Sequence, residues 1–390
     1  MLVWAREEAG YTREHAAEKA HFPVEKLRSW ETNETPPTLR QAEKLAGLYN
    51  RPFSVFCLAT PPKTTPLAAE YRRLPGVKPG EESPELRLAL RQMIYRRKVA
   101  FELLWELGDQ PEPFSYTINS GKSPEQIAVT LRNTLGISIG EQQGWPNEYR
   151  AWHEWRAAVE NIGVLVFQFS KVKVEELRGL SLLEFPLPVI GINSKEIPAS
   201  KPFSLLHELV HVMLACADEE KPALMENRPE QDWTELEKFA EAVAGAVLMP
   251  ANALLNEWEV SSRSTASDWD IMEIRKLARR YKVTPKAMIT RLLLLHRCTP
   301  AAYRRWTDAW EANLKEHPPK PGGGIATPAE KALNRNGRSF SRLVLEALTH
   351  ERITAVEAAR YLELNYPHIE TLRRNLAMAR QFEPVTAGTE

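Results

Sequence analysis

The sequence predicts an α+β protein, mainly helical, with a small and largely antiparallel sheet. Three observations carry this. Apolar residues recur at helical spacing through most of the 390 residues, several stretches being opened by Thr and closed by Gly or Pro. Only between about 163 and 193 do short continuous apolar runs replace that period. Immediately after them come two helical stretches, Pro202 to Leu214 and Glu237 to Pro250, that set His and Glu into apolar surroundings.

Composition sets the outer limits. The length suits two or three domains, and 51 Lys and Arg balance 51 Asp and Glu. No global charge excess points to nucleic acid or membrane. Cys57, Cys216 and Cys298 are too few and too scattered for a disulfide framework or a cysteine zinc site, which suits a reducing compartment. Charges begin at Arg6, so no signal-peptide core is read, and Leu292 to Leu295 is too short to span a bilayer. The expectation is a cytoplasmic protein.

Residues 1–62 read as four or five short helices. Leu2 to Ala9 stops at Gly10, Thr12 caps Arg13 to Ala20, and a turn at His21 and Phe22 leads to Val24 to Glu31. Thr38 caps a helix to about Tyr49. The spacing of Ala16, Ala17, Leu27, Trp30 and Leu45, with W-E-x-x-E-x-x-P from Trp30 to Pro37, resembles the Xre/Cro class of helix-turn-helix domain. The resemblance implies that Val24 to Glu31 enters the major groove, with Glu25, Lys26, Arg28 and Ser29 outward. Residues 1–50 nevertheless hold seven Lys or Arg against eight Asp or Glu, which lacks a basic footprint. A scaffold for protein contact is the plain alternative.

Residues 63–160 are expected to be a linker and a helical region. The linker, 60–83, is rich in Pro, Gly, Thr and Lys; helices follow at Glu85 to Leu107, Pro124 to Leu135 and Trp145 to Asn161. Trp152 and Trp155 share one face of the last and read as core. Residues 161–300 then carry the chemistry. Gly163 to Gln168, Gly179 to Glu184 and Pro188 to Asn193 read as strands, the last as an edge strand guarded by Pro186 and Pro188, on which an extended peptide could pair.

His207-Glu208-Leu209-Val210-His211 is an H-E-x-x-H pattern. On a helix, positions i and i+4 share a face, so both imidazoles can reach one metal ion. Glu208 sits beside the first, placed as the base of a zinc hydrolase. All the remaining neighbours from Leu205 to Leu214 are apolar, and a dry helix does not hold two His and a Glu without compensation. A third ligand is available from the second helix, where Glu237 and Glu241 are i, i+4 neighbours and Ala240, Ala244 and Gly245 are small enough for close approach. A solvated pair of carboxylates is the ordinary alternative.

H-E-L-V-H followed about two dozen residues later by E-x-x-A-x-x-x-A-x-x-L-M-P resembles the ImmA/IrrE family of zinc endopeptidases. The resemblance implies a zincin-like core, Zn2+ held by His207, His211 and Glu237, and Glu208 as base. It also implies a protein substrate, typically a repressor in a stress, phage or mobile-element response. The family usually has Asn or Asp four residues after the ligand Glu; Glu241 stands there, a longer carboxylate that could hydrogen-bond a ligand His or take the metal itself. The rival to an enzyme is a regulator or antitoxin-like binding module; an intact Glu208 argues against it, since structural zinc needs no base.

Residues 268–297 read as a second helix pair with eight Lys or Arg against three Asp or Glu. The basic stretch Arg275 to Arg291 is therefore, beside Val24 to Glu31, a candidate for DNA contact, the alternative being a solvated face. Residues 301–390 are expected to be a C-terminal helical region and tail, with a Gly-rich linker at 317–328. The pair Ile353 to Leu364 and Pro367 to Leu372 has no readable role.

Overall fold

The computed structural model describes residues 1–62, 82–217, 230–264, 268–317 and 326–380. The stretches read as linkers, 60–83 and 317–328, fall mostly outside these residues, and the tail at 383–390 falls wholly outside them.

Four helices open the chain: α1 (Leu2–Glu8), α2 (Arg13–Ala20), α3 (Val24–Glu31) and α4 (Leu39–Leu48). Local chemistry sets their ends. Thr12 accepts from the His15 amide, Thr38 and Gln41 form a capping box, and His21 takes the left-handed conformation between α2 and α3. Ala16, Ala17, Leu27, Trp30 and Leu45 are buried together, as their spacing predicts. Glu31 joins the helices by charge: its carboxylate receives Arg6 at 2.6 Å and Arg13 at 2.8 Å and so ties α1, α2 and α3 together.

After α5 (Pro84–Leu107), α6 (Pro124–Leu135), α7 (Ile139–Gly144) and α8 (Glu148–Asn161) come β1 (Leu165–Phe169), β2 (Gly179–Leu182) and β3 (Val189–Asn193). The strand order is β1-β3-β2. This alters two expectations within a fold class that stands. The sheet is mixed: β1 runs parallel to β3, Leu165 opposite Val189, and only β2 is antiparallel to it, Gly179 opposite Ile192. Moreover β3 is central, so it cannot be the edge that receives a peptide; β2 is an edge. The reason lies in the connections. A parallel pair needs a crossover, which residues 170–188 provide, whereas β2 and β3 are joined by a short turn. Pro188 guards no edge, since its carbonyl accepts the Leu165 amide at 3.0 Å.

Every strand residue is buried, because helices cover both faces. On one face Val164, Val166, Ile190 and Ile192 join the core of α6, α8 and the helices that follow the sheet. On the other, Leu165, Phe167, Leu180 and Val189 meet α5 and the C-terminal helices. Gly191 permits that second layer: an added Cβ would run into Met93 Sδ of α5.

The sheet leads into α9 (Lys201–Cys216), α10 (Glu230–Leu248), α11 (Ala251–Leu255), α12 (Trp258–Ser261), α13 (Ile271–Tyr281), α14 (Pro285–Leu294) and α15 (Pro300–Glu316). The chain closes with α16 (Pro328–Asn336), α17 (Arg338–Thr349), α18 (Ala355–Leu362) and α19 (Ile369–Arg380). No described helix is long and apolar enough to cross a membrane.

Candidate metal centre

Helix α9 has Pro202 in its first turn and is buried on nearly every side from Leu205 to Leu214. Its exposure falls at His207, whose side chain is 13 % accessible, while that of His211 is fully buried. The helical pitch brings the two rings together, Nε2 to Nε2 at 3.2 Å. At that distance one ring donates to the other when a single Nε2 carries a proton, and a cation held by both lone pairs would take the place of that hydrogen bond.

Helix α10 packs along α9 with Ala240 and Ala244 fully buried. It places Glu237 Oε2 3.2 Å from His207 Nε2 and Glu237 Oε1 3.6 Å from His211 Nε2. Among the described residues these three form the cluster able to hold a metal, with one donor atom from each within 4.8 Å of the others. Tetrahedral zinc with bonds of about 2.0–2.1 Å has ligand-to-ligand edges of about 3.4 Å. The observed spacings lie on either side of that edge, so the residues fit the ion in number, chemistry and geometry.

Glu241, the other carboxylate open from sequence, is exposed and outside the cluster. It does not bond His207 Nδ1 either, which is buried without a hydrogen-bond partner. Gly245 proves unnecessary for close approach, since an added Cβ would meet nothing within 4 Å.

Glu208 is 3 % exposed and faces the edge strand β2. An added Cβ at Gly179 would lie 3.0 Å from Glu208 Cγ and 3.2 Å from Oε1. Glycine at the first position of β2 therefore makes room for this carboxylate, a role invisible in a sequence where Gly179 merely opens an apolar run.

Other residues escaped the sequence reading because they hold α10 from a distance. The C-terminal carbonyls of a helix need donors. Here Arg132 of α6 donates to the Val247 carbonyl at 2.7 Å, Gln142 of α7 to that of Leu248 at 2.9 Å, and Arg291 of α14 to that of Met249 at 3.0 Å. All three side chains are buried, and burial pulls the Arg132 guanidinium down to about 10. The available signal was a charge within an apolar stripe, as Arg132 stands among Ile127, Ala128, Leu131 and Leu135.

The basic pair α13–α14 is mostly engaged internally. Arg280 bonds Glu257 and Glu259, Lys276 lies 3.0 Å from Glu259, and Arg275 stacks over Trp310. Lys282 donates to the Gln143 and Arg279 carbonyls, and Arg291 also reaches Glu125. On α3, by contrast, Glu25, Lys26 and Arg28 are exposed as predicted, while Ser29 is half-buried and bonded to the Lys26 carbonyl.

Comparison with known proteins agrees with this geometry. Residues 159–293 match the family described as IrrE N-terminal-like domain, a peptidase family, and residues 2–56 match the helix-turn-helix family. No curated protein matches the chain significantly. Two helices that bring H-E-x-x-H to a carboxylate, behind a capped four-helix unit, thus correspond to a peptidase domain of the ImmA/IrrE type preceded by an Xre-type helix-turn-helix domain.

Proposed function

We propose that the protein is a zinc-dependent endopeptidase that cleaves a specific regulatory protein, a repressor being the class that suits its helix-turn-helix domain. The observation that carries this is the meeting of His207, His211 and Glu237 at 3.2–3.6 Å, with Glu208 next to His207 in the chain and its carboxylate against Gly179. His207, His211 and Glu237 would hold the ion, which supplies Lewis acidity to activate water and polarise the scissile carbonyl. The Glu208 carboxylate takes the proton of the attacking water and hands it to the leaving amine. The surrounding apolar side chains of α9 keep bulk water away from that transfer, which strengthens each electrostatic contact. The edge strand β2, with Gly179 against Glu208, is the place where an extended substrate would pair.

We assign residues 1–62 to the helix-turn-helix domain, 63–160 to a linker and helical region, 161–300 to the peptidase core with its helix pair, and 301–390 to a C-terminal helical region and tail. Among the described residues the flanks hold no second group of His, Cys, Asp and Glu placed to take a metal ion, and they suit substrate capture or restraint. A cytoplasmic setting follows from the cysteine usage. The rival reading, a regulator acting through DNA without catalysis, draws on the helix-turn-helix match at 2–56. Incubating the purified protein, wild type and Glu208→Gln, with candidate repressors and with casein tests the proposal. Glu208-dependent cleavage of one repressor with casein left largely intact is expected. Rapid digestion of casein would remove the specificity, and equal cleavage by the variant would remove the mechanism.

A further inference from the structure

The free edge of the sheet has two chemically different ends. Strand β2 pairs only with β3, Gly179 opposite Ile192, so among the described residues its other side has no strand beside it. At the Gly179 end the chain gathers cations. Asn193, fully buried, organises this end. Its side-chain amide donates to the Val172 and Leu177 carbonyls at 3.2 and 2.8 Å, and its Oδ1 accepts the Lys195 amide at 3.0 Å. The Arg178 carbonyl accepts the Asn193 amide at 2.8 Å, and Lys195 Nζ donates to the Lys171 carbonyl at 3.1 Å. Residues 170–178 and 194–196 are thereby held together, and Lys171, Lys173, Arg178 and Lys195 on them are all exposed.

The carboxylates of the same two segments do not cancel this charge. Glu196 is buried and accepts the Ser200 and Ser204 hydroxyls at 3.3 and 3.1 Å. Arg178, its side chain 66 % exposed, stays 3.8 Å from Glu196, beyond hydrogen-bond distance. Glu176 accepts the Ser83 amide at 3.0 Å, and Glu175 is left as the exposed carboxylate facing four exposed cations. The other end of β2 is aromatic. Phe185, just beyond the strand, stacks on Phe114 at 6.0 Å, and Tyr116 stands edge-on to Phe114 at 5.5 Å. Cys216 Sγ donates to the Phe114 carbonyl at 3.2 Å, which ties this group to the last turn of α9. Phe185 and Tyr116 are each 39 % exposed.

We propose that the segment cut by this protein carries an acidic side chain beside the scissile bond, held by Arg178 and Lys195, and an aromatic or aliphatic one about six residues away, held by Phe185 and Tyr116. This rests on the reading of β2 as the edge that receives substrate. Gly179 fixes the polarity: Glu208 lies against it, so the reacting bond falls at the cationic end. From Gly179 to Phe185 an extended chain covers about 20 Å, at about 3.3 Å per residue, and a paired peptide advances at the same pitch. A basic segment meets like charge at one end, and a wholly polar one lacks the contact at the other. Two unlike anchors on one strand thus select a segment without a deep pocket.

Anisotropy titration of labelled peptides onto full-length, zinc-loaded Glu208→Gln protein tests this without turnover. The reference peptide, about twelve residues of Gly, Ser and Ala, carries Asp-Glu and, about six residues on, Phe-Leu, and is made in both chain orders. One order should bind, and replacing Asp-Glu by Lys-Lys should weaken it by about fivefold or more, the sum of a few exposed ion pairs. Replacing Phe-Leu by Ser-Ser should cost a comparable factor. Sodium chloride at about 0.5 M should remove the first difference and spare the second. Arg178→Glu, at an exposed position, should reverse the charge preference, with melting curves to verify folding. Phe185→Ser should erase the Phe-Leu effect alone, which keeps the test decisive if the arginine variant does not fold. Equal affinity for the Asp-Glu and Lys-Lys peptides, a preference unchanged in the folded variants, or no binding at millimolar concentration would overturn the proposal. A DNA duplex whose binding, unlike that of the peptide, depends on Arg178 would assign the rim to nucleic acid and overturn it as well. The expected binding pattern without Glu208-dependent cleavage in wild type would uphold the proposal for binding and count against the catalytic reading alone.

Discussion

Two helix pairs of the same matched domain handle buried charge in opposite ways. In α13–α14, charges find structural partners: Arg280 two carboxylates, Lys282 two carbonyls, Arg291 a carbonyl and a carboxylate. In α9–α10, His207, His211 and Glu237 are turned toward one another in a dry place. A charge in low dielectric is tolerated when it is compensated. Where the chain supplies the compensation the charge is architecture; where ligand atoms are instead gathered around a common point, the geometry suits an ion. The pair with the higher charge count, α13–α14, thus spends several of its charges on structural contacts, and it braces its neighbour: Arg291 holds the end of the helix that carries Glu237.

Substitutions should separate the two pairs. The largest effect is expected at Glu208. Glu208→Gln keeps the shape but cannot accept a proton, so single-turnover cleavage of the specific target should fall by about 10²–10⁴-fold while bound zinc is unchanged. His211→Ala should reduce zinc from one ion per chain to none by elemental analysis, and zinc retained at full stoichiometry would mean that the ligands have been misassigned. At α13–α14 the loss should be of stability instead. Arg291→Met leaves the Met249 carbonyl without this buried donor, and denaturant unfolding should show a loss of about 2–4 kcal/mol, with metal content kept in the folded protein. Parallel loss of zinc at full folding would break the division.

The ion pairs of the structural region also predict a pH response. Lys276 first, then the backbone of Glu259 itself, and Arg280 bring the Glu259 carboxyl down to about 2. A depressed carboxyl contributes stability that is present above its ordinary value and is lost as pH falls through the folded one. Unfolding curves should therefore show stability falling between about pH 4.5 and pH 2, with a shallower fall in Glu259→Gln, and high salt should narrow the difference. The smallest effect is expected on α3, where Glu25 offsets Arg28 and Lys26. Duplex DNA should bind weakly at low salt, Arg28→Ala should lower the salt slope by about one, and binding should fade at physiological salt. A tight, Arg28-dependent complex there would make α3 a reading head.

Much of this protein was determined within short stretches of sequence. Thr12, Thr38, Ser123 and Asp270 cap their helices because capping involves only the next three residues. The two histidines meet because a helical turn is a local object. What needed the tertiary structure depends on segments far apart in the chain. The choice of Glu237 over Glu241 turns on the face that α10 lays against α9. The central place of β3 depends on a crossover that no apolar run announces. The arginines at 132 and 291 look like surface charge until the end of α10 arrives beside them. Local rules operate over three or four residues; pairing, burial and charge compensation are settled by whatever the fold brings alongside.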